Sequence, residues 1–387
     1  MLPFVFLFIC FHKILYHKKT EKVRVFFGLI ANNNLVYIRD AMIALGYDAK
    51  VIPWIVPANE KGVIDYDLDL SIQFPKLYKN FFGQILLIYA FFFYAACKFD
   101  VFIMPFQNRL LDRTVLLSWL EFQLLRILNK KIILNPYGGD IQYSKVWSLK
   151  KDKASQELFS ARQNDPLYSK MLDNKIFKNT KYCLKYSHQE IVSIDWPDYL
   201  PEGRGKHLHM RCFPLQNYKK NGVGHSKIVS QGITIVHATN HSHFKGTKHL
   251  EKAVSILNNS GENINLNIIK NKNHDEVLKE ILNADLVFDQ ILLGAYGRLA
   301  IEAMALGKPV MCYLREDFIK LYPQWNQCPI INVNIDNLKD KILEFTSLSV
   351  EKRQEIGDES KKYIEKFHSP EYVGEKLNSI IQEVISR

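Results

Sequence analysis

Short apolar stretches alternate with helical stretches along this chain, and the alternation starts twice. The first series of strand-like stretches is "VRVFFGLI", "DAKVIPWIV", "FDVFIMPF" and "KIILNPY", with helical patterns at 34–45, 76–97 and 111–128. The second series is "GITIVHA", "INLNIIK", "ADLVFD" and "PVMCYL", with helical patterns at 248–258, 274–282 and 299–306. Strands that alternate with helices are typical of parallel sheets covered on both faces. The sequence therefore predicts an α/β protein with two doubly wound, Rossmann-like domains in tandem.

The length of 387 residues also favours two domains, because single cores rarely grow that large. The polar, glycine-containing stretch "NYKKNGVGHSK" is the predicted linker. Ser369 and Pro370 form a helix-start signal for the last helix. The predicted organisation is an apolar N-terminal segment at 1–21, a first domain at 22–216, a linker at 217–231, a second domain at 232–368, and a C-terminal helix at 369–387 that can pack back on the first domain.

Charge and cysteine content narrow the range of partners. The formal net charge is +11, which favours acidic partners such as nucleotide phosphates or anionic lipid headgroups. Nucleic acid is disfavoured, because the lysines are spread over the chain rather than striped with exposed aromatic residues. The six cysteines are widely spaced and form no Cys-x-x-Cys pair, so we expect free thiols in a reducing compartment.

Two segments bear on membranes. The first, at 1–21, is too short to span a bilayer and lacks the features of a signal peptide, so it is either an anchor or an over-extended start. The second, "NFFGQILLIYAFFFYAACKFD" at 80–100, is either a buried core helix or a helix in the membrane interface, with Phe91–Phe93 on the lipid side. Lys76 and Lys79 would help the interfacial alternative. We expect a cytoplasmic protein peripherally associated with the inner face of the cell membrane.

Glu302 is a single acid in the otherwise small or apolar helical run "LAIEAMAL". A carboxylate is rarely buried without a partner, so Glu302 either faces solvent or faces a polar ligand. The preceding loop carries Gly294 and Gly297, and Gly307 ends the helix. Loops at the carboxyl ends of parallel strands are where doubly wound folds bind ligands, and helix N-termini favour phosphate.

Three other strand-to-helix loops carry candidate residues. "GLIANNNL" offers Gly28 for backbone freedom and Asn34 as a helix cap, and it lacks the GxGxxG pattern of NAD-binding proteins. "NPYGGDIQ" places Asp140 after two glycines, either as a simple turn residue or as a functional one. Lys245 stands at a helix start, where a lysine is a natural phosphate ligand.

Three histidines, His237, His241 and His243, lie within one loop region and allow a zinc site as an alternative. No cysteine or carboxylate lies near them in the sequence to complete such a site. Solvent-exposed or phosphate-facing histidines are the favoured interpretation, and we expect no metal site and no cofactor.

The stretch "KGT" and, some fifty residues later, "DQILLGAYGRLAIEAMALGKPV" resemble the nucleotide-sugar half of the group 1 retaining glycosyltransferases, which have the GT-B fold. "LIANNNLVYIRDAMIALGYDA" and "KKIILNPYGGD" resemble the acceptor half of bacterial members that build surface polysaccharides. The resemblance implies two Rossmann-like domains that face each other across a cleft, with a nucleotide-sugar as substrate.

The resemblance also implies roles for individual residues. Glu302 matches the second glutamate of a Glu-(seven residues)-Glu motif and would accept hydrogen bonds from the donor ribose, and Lys245 would neutralise the diphosphate. The implied catalytic residues are Asp140, Lys245 and Glu302. The implied donor-binding residues are Gly246, Thr247, Gln290, Gly294, Tyr296, Gly297, Arg298 and Glu302, and the implied acceptor or cleft residues are Gly28, Asn32, Asn33, Tyr137, Gly138 and Gly139.

The sequence departs from the family pattern at three places. Gly294 replaces the first glutamate, so Asp289, Gln290 or a backbone N–H would have to bind the donor sugar. The arginine that usually accompanies the lysine is missing from 237–244, and Tyr137 stands in the place of a histidine.

The favoured function is a hexosyltransferase that moves sugar from a nucleotide-diphosphate donor to a lipid-linked or saccharide acceptor in surface-polysaccharide synthesis, with retention. The departures leave two alternatives open. One is a weak or inactive GT-B protein that acts as a scaffold in a polysaccharide assembly complex. The other is a different GT-B enzyme, such as a sugar-nucleotide epimerase.

Overall fold

The computed structural model describes residues 21–57, 64–114, 117–165, 170–192, 196–214 and 232–387. The predicted linker and almost all of the predicted N-terminal segment lie outside these ranges. The described chain contains two parallel β-sheets. The first has the strand order β2-β1-β3-β4-β5-β6. Its strands are β1 (Arg24–Phe27), β2 (Asp48–Val51), β3 (Val101–Met104), β4 (Lys131–Leu134), β5 (Gln189–Val192) and β6 (Lys206–His207).

The second sheet has the order β11-β10-β9-β7-β8, and every described pairing in both sheets is parallel. Its strands are β7 (Ile233–Ala238), β8 (Ile264–Ile269), β9 (Leu286–Phe288), β10 (Val310–Cys312) and β11 (Ile331–Asn332). The predicted α/β class with two doubly wound sheets is confirmed. The central strands are almost entirely apolar because helices cover both faces of each sheet.

Sixteen α-helices lie in the described ranges. Those associated with the first sheet are α1 (Asn33–Ala44), α2 (Leu70–Gln73), α3 (Pro75–Tyr78), α4 (Phe81–Lys98), α5 (Glu121–Ile127), α6 (Lys145–Ser148), α7 (Lys153–Gln163) and α8 (Lys170–Tyr186). The others are α9 (Ser242–Lys245), α10 (Thr247–Asn259), α11 (His274–Asn283), α12 (Arg298–Ala305), α13 (Glu316–Leu321), α14 (Leu338–Thr346), α15 (Val350–Phe367) and α16 (Pro370–Ser386).

Two predicted helices differ from the structure. The stretch predicted at 76–97 is two helices, because the Asn80 side chain accepts a hydrogen bond from the Gly83 N–H and starts α4 afresh. Among the described residues of the stretch predicted at 111–128, the helix runs from Glu121 to Ile127. The buried Glu121 carboxylate accepts hydrogen bonds from the N–H groups of Leu110 and Leu111, which fixes a turn where a helix was expected.

Helix α4 is the one helix in the described ranges that is long and apolar enough to cross a membrane. Its Phe91 and Phe92 side chains are buried in the first-domain core, and the Phe91 ring lies 5.9 Å from that of Phe26 in β1. Of the two alternatives for this stretch, the buried core helix therefore holds for Phe91 and Phe92, because these rings fill the space beside the sheet.

The last helix, α16, packs against α1 of the first domain. Ser369 caps it by accepting a hydrogen bond from the Tyr372 N–H, with Pro370 in its first turn. A side chain at Gly374 would meet the Ala41 methyl group at 2.8 Å, so the two helices are in close contact. Buried residues of α16, such as Leu377, share one apolar cluster with β1. The chain thus returns to the first domain after it has completed the second.

Candidate functional site

A cavity of about 260 Å³ opens between the two sheets, at the carboxyl ends of their strands. The loop after β1 and the loop after β4 form one wall, and helix α12 forms the opposite wall. The crossing segment at 210–214 lies between them. The lining residues are Asn32–Leu35, Tyr37, Asn135–Gly138, Met210–Pro214, Arg298, Ile301 and Glu302.

Glu302 is only 4% exposed, so it is not a surface glutamate. Its Oε1 accepts hydrogen bonds from Arg298 Nε at 2.6 Å and from His274 Nε2 at 2.9 Å. Burial opposes ionisation, but these two donors outweigh it and lower the pKa of Glu302, so the carboxylate stays charged at neutral pH. Within the described residues, no hydrogen-bond donor reaches Oε2. One oxygen of a fixed, charged carboxylate is left for a ligand.

Lys245 lies where α9 ends, and its Nζ donates a hydrogen bond to Asp289 Oδ1. Asp289 is fully buried, and its Oδ2 accepts from the Gly297 N–H at 2.5 Å. The buried carboxylate thus ties the lysine to the residue that precedes α12. No side chain of the described residues caps that helix, so the N–H groups of Leu299 and Ala300 in its first turn are available to an anion.

Arg211 is a second cation at the same point. A methyl group on Gly297 would lie 3.5 Å from Lys245 Nζ and 3.6 Å from Arg211 Nη1, which places both cations beside the start of α12. Burial lowers the pKa of Arg211, and the Asp289 charge partly offsets this effect. In the described part of the chain, no carboxylate comes within 4 Å of the Arg211 guanidinium. Lys245, Arg211 and Arg298 together outnumber the two acids, so the site attracts anions.

Gly294 has φ of 76°, a left-handed conformation that favours glycine. An added Cβ would lie 2.4 Å from Cδ and Cγ of Arg315, whose guanidinium is bound to Asp198 and Asp317. The aliphatic part of Arg315 thus occupies the space beside Gly294. A glutamate at this position, as in the family pattern, would not fit here.

Two predicted donor-binding side chains do not reach the cavity. Gln290 is fully buried, and its amide binds Ala295 O and Tyr313 O, while its Oε1 accepts from Leu293 N. Tyr296 is also fully buried, with its hydroxyl 2.8 Å from His368 Nε2. The assignment of these side chains to the donor is therefore corrected: they are fully occupied in shaping the loop before α12.

The predicted loop after β7 is also partly structural. His237 is fully buried between Phe288 O, at 2.9 Å, and the Thr247 hydroxyl, at 2.8 Å. Burial lowers the pKa of His237 to about 4, so it is neutral at physiological pH. His237 cannot share a metal with the exposed His241 and His243, and the Thr247 hydroxyl faces this histidine rather than a donor. Gly246, at φ of 75°, allows the turn from α9 into α10.

The first-domain wall contains only part of the predicted acceptor set. Tyr137 and Gly138 line the cavity, and so do Asn32 and Asn33 at the start of α1 on the same wall. Gly28, Gly139 and Asp140 do not line it. Asp140 Oδ2 accepts from the Phe106 N–H at 2.9 Å, and burial raises the pKa of Asp140 to about 7. In this structure Asp140 fixes the loop that carries Tyr137, and a catalytic role for it is not supported by its position.

The predicted helix cap Asn34 has a different function. Asn32 caps α1, and its side chain accepts from the Asn34 N–H at 3.0 Å. The Asn34 side chain instead donates to Met210 O and accepts from the Cys212 N–H at 2.7 Å. It therefore holds the two neighbours of Arg211 in place.

Sequence reasoning missed Arg211 and His274. Arg211 lies in "HLHMRCFP", where it is the only arginine or lysine among four buried apolar or sulfur-containing side chains. A lone charge in an apolar run is the signal that singled out Glu302, and it would have found Arg211 as well. Nothing in the sequence marks His274, because it reaches Glu302 only through the packing of α11 on α12.

Comparison with solved structures identifies the fold. Sucrose-phosphate synthase from Thermosynechococcus elongatus is similar with a TM-score of 0.57 and 11% identity, over 95% of this chain and 100% of that chain. HepE from Anabaena in complex with UDP-glucose is similar with a TM-score of 0.52 and 12% identity, over 93% of this chain and 99% of that chain. The catalytic domain of starch synthase IV from Arabidopsis thaliana, bound to ADP and acarbose, is similar with a TM-score of 0.51 and 9% identity. The match covers 95% of this chain and 99% of that chain.

No protein-family model matches the chain, and no curated protein matches its sequence. The two parallel sheets and the full-length likeness to these structures give the chain the two-domain, Rossmann-like GT-B fold.

Proposed function

We propose that the protein is a glycosyltransferase that moves a hexose from a nucleoside diphosphate to an acceptor hydroxyl, with retention, in the synthesis of a cell-surface polysaccharide. One observation carries the proposal. Lys245, Arg211 and the uncapped start of α12 meet around Gly297, and Glu302 lies one turn further along the same helix. One helical turn rises about 5.4 Å, which is comparable to the separation of ribose from diphosphate in a nucleotide.

The diphosphate belongs at the cationic end of this arrangement. Two cations and the N–H groups of Leu299 and Ala300 would face its oxygens, and negative charge at a helix N-terminus is favourable. When the bond between the anomeric carbon and the diphosphate breaks, its electron pair stays on the leaving phosphate oxygen. Lys245 and Arg211 would stabilise that charge as it develops.

The ribose belongs at Glu302. Arg298 and His274 hold one oxygen of this carboxylate, and no described donor reaches the other oxygen. Such a carboxylate can accept hydrogen bonds from the two neighbouring hydroxyl groups of a ribose. The role that the family resemblance implies for Glu302 thus agrees with its burial and its charge state.

Arg211 takes the place of the arginine that is missing from 237–244. It comes from the segment at 210–214, and the side chains of Asn34 and His368 hold the main chain of this segment through hydrogen bonds. The diphosphate site therefore depends on the contact between the domains, and it does not lie within the second domain alone.

Neighbouring folds support the substrate class. HepE has been solved with UDP-glucose, and the starch synthase domain with ADP and acarbose. On the opposite wall of our cavity, Tyr137, Asn32 and Asn33 offer an aromatic ring and amide groups, which are suited to a saccharide acceptor.

The test is nucleotide binding by calorimetry, with UDP, GDP, ADP and CDP as ligands. We expect one of them to bind, and Lys245→Gln and Arg211→Gln each to weaken its binding about tenfold or more while the parent nucleoside is little affected. Glu302→Gln should weaken binding of the ribonucleotide about tenfold and leave its 2′,3′-dideoxy analogue unchanged. Lys252→Gln, an exposed lysine of α10, is the control.

A second measurement completes the test. We expect free nucleoside diphosphate to be released when a saccharide acceptor is added, and NMR identifies the anomer of the product. If none of the four nucleotides binds, or if all variants bind like the wild type, the proposal is wrong. A scaffold is the second candidate, since Arg315 closes the position of the first family glutamate at Gly294. It is favoured if nucleotide binding is absent and an assembly partner is still bound.

A further inference from the structure

Five large apolar side chains, Ile72, Phe74, Phe81, Phe82 and Leu86, are exposed on the three consecutive helices α2, α3 and α4; we call this set the apolar crest. Phe81 is 70% exposed and Phe82 is 82% exposed, while Ile72 and Leu86 are each 60% exposed. Single exposed apolar residues are ordinary, but a cluster of this size marks an interaction surface.

The crest is held firmly by its supporting helices. Asn80 caps α4 through the Gly83 N–H at 2.6 Å, and Gln84 Nε2 donates to Tyr78 O at 2.7 Å. An added Cβ on Gly83 would lie 2.3 Å from Leu77 O, so α3 and α4 are in direct backbone contact. The rings of Phe81 and Phe82 pack edge to face at 5.8 Å. The apolar exposure thus belongs to a packed unit.

The charged residues that lie between the apolar residues of the crest are lysines. Lys76 and Lys79 are exposed between its aromatic residues. The sequence contains no acidic residue between Asp69 and Asp100. Asp69 lies beside Ile72, and its carboxylate caps the start of α2. Apolar side chains interleaved with exposed lysines match the interface of a bilayer that carries anionic headgroups.

The crest also lies at the edge of the first sheet where the cavity opens. The backbone N–H of Trp54 donates to the carbonyl oxygen of Leu29, which follows β1. The backbone N–H of Leu70 donates to the carbonyl oxygen of Pro53. The Trp54 ring lies 5.8 Å from that of Tyr78 in α3. These contacts place α2, α3 and the start of α4 at the carboxyl edge of the strands, beside the loops that line the cavity.

We propose that the apolar crest docks the protein onto the surface of an anionic lipid bilayer, with Phe81 and Phe82 inserted and Lys76 and Lys79 against the headgroups. Docking in this orientation brings the mouth of the cavity to the membrane, where a lipid-linked acceptor would lie. That last step rests on the proposed function, whereas the docking itself does not. The surface differs from the one expected at Phe91–Phe93, which the core occupies.

The test is co-sedimentation of the full chain with vesicles of phosphatidylcholine alone or with 30% phosphatidylglycerol, without any nucleotide. We expect binding to the anionic vesicles. We expect two double variants to reduce the partition coefficient about tenfold or more. Phe81→Ser/Phe82→Ser removes the apolar burial, and Lys76→Glu/Lys79→Glu removes the attraction to the headgroups. One matched control is Ile127→Ser, an apolar residue that is 61% exposed and lies at the end of α5, before the start of β4. The other is Lys252→Glu/Lys362→Glu, with the same charge change in the second domain.

Each other outcome contradicts the proposal. It is wrong if the crest variants bind vesicles like their controls, or if wild-type binding ignores lipid charge. It is also wrong if deletion of residues 1–20 abolishes binding while the crest is intact. If Phe81→Ser/Phe82→Ser converts a dimer to a monomer in light scattering without changing vesicle binding, the crest contacts a second copy instead. Unchanged thermal unfolding of the variants shows that they are folded. If the variants lose vesicle binding and keep their nucleotide affinity, docking has failed while the proposed function is unaffected.

Discussion

Individual residues around α12 show how one position constrains another. Glu302 is tolerated in an apolar helix because His274 and Arg298 donate to it, so its charge is compensated where water is excluded. Gly294 is required for two reasons, its positive φ and the Arg315 side chain beside it. Arg315 cannot simply move away, because Asp198 and Asp317 hold its guanidinium.

Gly294→Ala should therefore destabilise the protein more than the same change at Gly261. Gly261 has φ of 101° but nothing within 4 Å of an added Cβ, so it reports backbone strain alone. We expect the Gly294 variant to lose about 1–3 kcal/mol more in free energy of unfolding, measured by urea denaturation, because it adds a clash to the strain. Equal losses in the two variants would show that Arg315 yields without cost.

At the scale of elements, the segment at 208–214 is positioned by helices of both domains. Asn34 of α1 binds the main chain on both sides of Arg211, and His368, at the end of α15, donates from Nδ1 to Arg211 O at 2.8 Å. The Phe213 N–H donates to His368 O at 2.8 Å. The location of Arg211 beside Lys245 thus follows from contacts between elements that are distant in the sequence.

Asn34→Ala should lower the free energy of unfolding by about 1–3 kcal/mol, since it leaves Met210 O and the Cys212 N–H without partners. It should also weaken binding of a nucleoside diphosphate, because Arg211 is no longer fixed. Asn33→Ala is the control for stability, as its side chain has no hydrogen bond to any described residue. Calorimetric titration and thermal unfolding measure the two effects, and an unchanged affinity in a destabilised Asn34 variant would remove Asn34 from the positioning of Arg211.

At the scale of the whole molecule, α16 and a buried aromatic cluster connect the two domains. His368 lies between them, and its Nε2 accepts from the Tyr296 hydroxyl while Nδ1 donates to Arg211 O. The His209 and Tyr296 rings stack at 5.1 Å. Burial, together with the Arg211 charge, lowers the pKa of His368 to about 4. The interface therefore requires a neutral imidazole.

This requirement predicts acid sensitivity. The unfolded chain takes up a proton on His368 near pH 6.5, whereas the folded chain does so only near pH 4. The contribution of His368 to stability is complete above pH 6.5 and decreases as the pH falls towards 4, by up to about 2 kcal/mol at pH 5. His368→Gln should flatten the dependence of Tm on pH in this window, while His243→Gln, an exposed histidine, should not. Parallel pH profiles for wild type and His368→Gln would contradict this assignment.

Much of the architecture was predictable because it depends on local patterns. The strands in "KIILNPY" and "GITIVHA" are short stretches made mostly of branched apolar residues. Ser369-Pro370 and Gly307 mark helix ends by rules that act within one turn. The side-chain roles of Gln290, Tyr296 and Thr247 were not predictable in this way. Each is a polar residue in a loop beside a site, and only its neighbours decide whether its polar atoms face a ligand or the protein.

The sequence by itself determined two alternating α/β domains, the strand-end loops that form the cavity, and a lone acid on the helix that begins there, because hydrophobic periodicity and turn chemistry are local. Only the tertiary structure decided that Arg211 joins Lys245, that Arg315 fills the place beside Gly294, and that the exposed apolar surface lies at Phe81 and Phe82 instead of at Phe91 and Phe92. These outcomes depend on which elements pack together, and burial and charge pairing are set by that packing.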